Sequence, residues 1–60
     1  MIRALLVDDH QIVRSGVRKV LEATGRFEVV GEASGVRDAL ERTRTLRPDV
    51  VVLDLGLKDG

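Results

Sequence analysis

Sixty residues with ten basic and ten acidic side chains, 43% hydrophobic and 33% charged, fit one small globular domain at most, and disorder is not the default for such a composition. The formal charge of zero gives no bulk attraction to nucleic acid or anionic membrane, one aromatic residue (Phe27) builds no base-stacking platform, and the lack of cysteine excludes disulfides and thiolate metal sites. Apolar runs no longer than four residues exclude a transmembrane helix, and no signal-peptide layout follows Met1, so the chain reads as cytoplasmic.

Ala4 to Val7 is a short apolar run that ends in acids, and it predicts a buried strand. From about Gln11 to Thr24 the spacing changes: Val13, Val17, Val20, Leu21 and Thr24 recur at steps of three and four, while Arg14, Arg18 and Glu22 line another face. That spacing predicts an amphipathic helix, with Arg18 and Glu22 four apart as partners. His10 reads as the residue that starts this helix rather than as a ligand. Gly25 suits the left-handed position after the helix.

Phe27 to Gly31 reads as a second strand, less apolar because of Glu28. Ser34 is the predicted N-cap of a second helix whose apolar stripe is Val36, Ala39, Leu40, Thr43 and Leu46. Its arginines, Arg37, Arg42, Arg44 and Arg47, read as a solvated face rather than a phosphate patch. Pro48 disfavours a helical Arg47 and ends the element. Val50 to Leu53 is a third buried strand, and it runs into Asp54. No internal repeat and no low-complexity segment is present.

Strands alternating with helices through short connections predict an α/β fold with a parallel sheet and right-handed crossovers. The first and third strands are apolar throughout, as strands covered on both faces are. The second carries a charge and belongs at an edge, which gives the order 2-1-3 of a doubly wound sheet. Ligands of such sheets bind beyond the carboxyl ends of the strands where the order reverses, here between the first and third.

Asp8, Asp9 and Asp54 would then meet at that point. Taken singly they have plainer readings, since an acid pair before a helix favours its dipole and a lone aspartate after a strand forms turns. Together they repel, and need a cation, protons or a basic side chain. Oxygen donors without cysteine or a second histidine favour a hard divalent ion such as Mg²⁺. A metal among carboxylates suits phosphoryl chemistry. The stretch GEASG lacks the spacing of a dinucleotide loop.

"VDDH" after the first strand, "VRSGV" in the first helix, "GEASG" after the second strand and "RPDVVVLDLGL" at the third resemble, in this order and spacing, the receiver domain of two-component response regulators. The NarL/LuxR-type transcriptional branch, where the acid pair is often followed by histidine, is the closest in flavour. The resemblance covers all 60 residues and corresponds to the N-terminal half (β1-α1-β2-α2-β3) of a flavodoxin-like sheet. It implies that Asp54 accepts a phosphoryl group from a histidine kinase, and that this is a phosphoacceptor rather than an enzyme. It also implies that Asp8 and Asp9 hold Mg²⁺, with Asp9 the more direct ligand and the Gly56 carbonyl completing the protein's share. The family's switch Ser/Thr, its lysine, its last two strands and a DNA-binding helix-turn-helix have no counterpart in these 60 residues. Where the family usually has proline two residues after Gly56, this chain has Lys58, which puts an ammonium near the carboxylates.

Two rival functions compete with the receiver. An aspartyl-phosphate phosphatase would carry Asp-x-Asp after the first strand, whereas "VDDH" has adjacent aspartates and leaves Asp54 without a role. An inert segment that self-associates through an exposed strand edge is the other.

Overall fold

The computed structural model describes residues 1–53. Five elements follow in order: β1 (Ile2–Val7), α1 (Gln11–Ala23), β2 (Phe27–Ala33), α2 (Val36–Leu46) and β3 (Val50–Leu53). The strands form one parallel sheet in the order β2-β1-β3, the order expected from placing the charged strand at the edge. Both terminal extensions of the strands exceed the apolar runs, since β1 begins at Ile2 and β2 continues to Ala33.

β1 is the centre. Ala4, Leu5, Leu6 and Val7 are all buried, joined only by Val29 and Ala33 as buried apolar residues among those described. Successive side chains of a strand point to opposite faces, so the two helices divide β1 between them. Ala39 and Leu46 of α2 pack on Leu5, Val7 and Ala33. Arg14, Val13 and Val17 of α1 face Leu6 on the other side, around an open apolar cleft that Val52 also lines.

β2 meets β1 with one irregularity. Ala4 pairs with Val29 but Leu5 pairs with Gly31, so Val30 is an extra residue, and it reverses the face presented by everything after it. Gly31 leaves room there. A Cβ at this position would lie 2.6 Å from the Leu46 methyl and 3.4 Å from that of Leu5, so a side chain would have to displace the free end of Leu46.

The helix ends show how far local rules carry. Gly25 adopts φ 72° as expected after α1, and Thr24 closes the helix by donating to the Leu21 carbonyl (2.7 Å). Pro48 disfavours the right-handed helical conformation for the residue before it, and Arg47 leaves the helix in the left-handed region, at φ 49°. Its N–H reaches the Thr43 carbonyl at 3.1 Å.

Three expectations need correction. Gly35, not Ser34, is the N-cap of α2, and no side chain caps it, because β2 runs on to Ala33 and delays the helix. In α1 the half-buried face is Arg14, Val17 and Leu21, while Val20 is 68% exposed. Leu40, expected in the stripe of α2, is likewise 65% exposed. The third correction concerns β3, read as buried: its four residues are 37–51% exposed. Among the described residues the helices pack on β1 and β2 and neither packs on β3.

The entry to β3 is fixed from β1. Arg3 and Asp49 exchange bonds, the Arg3 N–H to Asp49 Oδ2 (2.9 Å) and the Asp49 N–H to the Arg3 carbonyl (2.8 Å). The Arg3 guanidinium also donates to the Arg47 carbonyl at 3.1 Å. This pairing sets the register that brings Val7 opposite Leu53.

Candidate functional site

The carboxyl ends of β1 and β3 lie side by side. Val7, the residue before the acid pair, pairs with Leu53, the residue before Asp54 in the sequence. Asp54, Gly56 and Lys58 themselves lie outside the described residues.

Asp8 leaves the sheet under tight control. It is 5% exposed, and its N–H donates to the Ala33 carbonyl at 3.0 Å, which extends the β1–β2 contact past the strand ends. Its Oδ1 accepts the His10 N–H at 2.7 Å, so the side chain turns the chain toward α1. The helix then begins without a side-chain cap and without an acidic residue in its first turn; His10 is its N-cap, in extended conformation. That matches the reading of His10 as a helix-start residue.

Asp9 is the exposed member of the pair. The His10 ring nitrogen Nδ1 lies 2.7 Å from Asp9 Oδ1 and 3.4 Å from Asp8 Oδ1. One ligand atom from each of Asp8, Asp9 and His10 falls within 4.8 Å of the others. These residues could hold a cation, and the two carboxylates are the hard oxygen donors that Mg²⁺ prefers. Neighbouring carboxylates disfavour each other's charge, and a divalent ion relieves that directly.

Two residues near the site were not singled out by sequence reasoning. The Arg14 guanidinium donates through Nε to Glu32 Oε1 at 3.0 Å and through Nη1 to the backbone carbonyl of Asp8. Arg18, one turn on, donates to Glu32 Oε2 at 2.9 Å, with Glu22 3.5 Å away as the expected partner. The helical spacing showed Arg14, Arg18 and Glu22 on one face. It could not show Glu32 opposite them, because the extra residue Val30 decides which side Glu32 takes. The arginines of α2 are exposed, as expected of a solvated face.

No helix among the described residues is long and apolar enough to cross a membrane. Residues 4–60 match the family model of the response regulator receiver domain. The DNA-binding transcriptional activator DevR/DosR of Mycobacterium tuberculosis is 48% identical over 60 residues, which is 100% of this chain and 28% of that protein. The response regulator UvrY of Escherichia coli K12 is 49% identical over 57 residues, 95% of this chain and 26% of that one. The response regulator GacA of Pseudomonas viridiflava is 44% identical over 55 residues, 92% of this chain and 26% of that protein. The chain thus spans about a quarter of the length of these curated relatives. With the parallel order β2-β1-β3 and the acid pair at its switch point, the chain belongs to the response regulator receiver domain family.

Proposed function

We propose that this chain is the phosphoacceptor segment of a two-component response regulator, which takes a phosphoryl group on Asp54 from a histidine kinase. A Mg²⁺ ion held by Asp8, Asp9, Asp54 and the Gly56 carbonyl would neutralise phosphate charge during the transfer. The rest is done by the chain's own groups. A carboxylate oxygen of Asp54 attacks phosphorus while the bond to the kinase imidazole nitrogen breaks, and the donor ring, protonated on its other nitrogen, takes back the bonding pair and leaves as neutral histidine. Asp8, fixed by β2 and by the His10 N–H, keeps its carboxyl group beside the switch point; Asp9 is the more exposed of the two. The output is transcriptional control by a DNA-binding region elsewhere in the whole protein, in the cytoplasm. The name of the M. tuberculosis relative as a DNA-binding transcriptional activator supports that output.

The observation that carries the reading is the pairing of Val7 with Leu53, which makes neighbours of the two strands whose sequences continue into Asp8–Asp9 and Asp54. The test is phosphodonor labelling of the whole regulator. Asp54→Asn should abolish the acid-labile label, because an amide cannot form the acyl phosphate, and Asp9→Asn should slow labelling. A label that persists at an aspartate in Asp54→Asn would overturn the assignment. Turnover of a phosphomonoester would favour the phosphatase instead, where the nucleophile leads the first strand's acidic run.

A further inference from the structure

We infer that Arg14 is a positioning residue for the acid pair, and through the pair for the divalent cation; the inference rests on the metal reading above. The carbonyl that Arg14 Nη1 holds is that of Asp8, and it belongs to the peptide unit joining Asp8 to Asp9. A peptide unit is planar, so fixing its carbonyl direction fixes the last backbone dihedral of Asp8 and places the Cα of Asp9, while the His10 N–H bond to Asp8 Oδ1 at 2.7 Å holds the chain just beyond it. The two acids then leave the backbone in one relative orientation.

The guanidinium is itself held. Its Nε donates to Glu32 Oε1 at 3.0 Å, and its side chain is only 15% exposed. Glu32 in turn is steadied by Arg18 on its other oxygen at 2.9 Å. Arg14 therefore joins three elements at the carboxyl end of the sheet: the turn after β1, the end of β2, and α1, which carries it. The opposite side of the same turn is tied by the Asp8 N–H to the Ala33 carbonyl at 3.0 Å. Both main-chain polar groups of Asp8 are thus anchored, one to β2 and the other to α1.

A planar fork with donors in two directions makes these bonds simultaneously; a lysine ammonium on a flexible stem does not reproduce that geometry. Groups that orient metal ligands from behind contribute about 10–100-fold in metal affinity when removed. Charge alone argues the other way, because deleting a cation beside two carboxylates should tighten Mg²⁺ binding. The sign of the effect separates positioning from simple electrostatics.

The experiment titrates MgCl₂ into the whole regulator and follows backbone and arginine side-chain NMR resonances. Arg14→Met and Arg14→Lys should each weaken Mg²⁺ binding about 10-fold. Arg18→Met, which removes the same charge but loosens only the far oxygen of Glu32, should weaken it clearly less than either Arg14 variant. In the wild type, the Arg14 Nε–H resonance should move with the same midpoint as the Asp9 amide, while that of Arg18 stays still. This last reading stands even where a variant fails to fold. Unchanged or tighter binding in the Arg14 variants, or equal weakening by Arg18→Met, overturns the inference and leaves the metal site intact. A wild-type chain with no Mg²⁺ response removes the metal site and the inference with it.

Discussion

Asp8→Asn keeps an oxygen that accepts the His10 N–H, now 2.7 Å from Asp8 Oδ1, but discards the charge. Asp8→Ala discards both. The first should therefore preserve the turn into α1, whereas the second leaves a backbone donor without its partner, a loss of about 1–2 kcal/mol. Both should weaken Mg²⁺ binding. Denaturant melts in EDTA, set beside Mg²⁺ titrations, would read the two effects separately. Equal stability of the two variants would show that the carboxylate does not shape the turn. At this scale the acid pair was legible in the sequence, since adjacent like charges after an apolar run announce that something must compensate them. Arg14 and Glu32 were not. Their meeting depends on a strand register, and a side chain's partner 18 positions away leaves no trace in local spacing.

Elements were read well where one local rule acts alone and less well where packing decides. Gly25 took the left-handed conformation its lack of a side chain permits, and α2 stopped before Pro48 as the proline requires. The order of strands followed from Glu28 marking β2 as an edge. The extra residue in β2 was invisible, because nothing in "FEVVGEA" distinguishes an unbroken alternation from one interrupted at Val30. Its structural consequence is Gly31. With the Leu46 methyl 2.6 Å from where a Cβ would sit, Gly31→Ala should push back the free end of that side chain. Overpacking in a core is destabilising by about 1–3 kcal/mol, and alanine recovers about 0.4–1 kcal/mol by restricting the unfolded chain. We expect a small net loss for Gly31→Ala and a larger one for Gly31→Val, whose added methyl groups also crowd Leu5. Urea unfolding midpoints would rank them. A Gly31→Val protein as stable as wild type would mean that α2 rides higher on the sheet than this packing implies.

At the scale of the molecule, the sheet is unevenly covered. β1 has a strand on each side, and the two helices lie over β1 and β2. β3 was expected to be buried from its composition, which is a fair reading of an apolar strand but says nothing of which neighbours supply the cover. Val50, Val51, Val52 and Leu53 are instead 38, 46, 37 and 51% exposed, and no described strand pairs with the outer edge of β3. An apolar edge with no charged residue to blunt it invites another chain. The buried apolar set among the described residues is only six side chains, two of them alanine. In a domain this small, apolar burial and the conformational entropy of about 1.5 kcal/mol per ordered residue nearly cancel. A 60-residue polypeptide of this sequence, produced alone, should therefore not persist as a folded monomer. Sedimentation velocity with far-UV circular dichroism should show either partial order or helix content that rises with concentration as the species grow. Placing a lysine at the exposed strand, as in Val51→Lys, should suppress the larger species by putting a charge on the edge. A cooperative, fully folded monomer at micromolar concentration would refute this, and would require cover for β3 from within the same 60 residues.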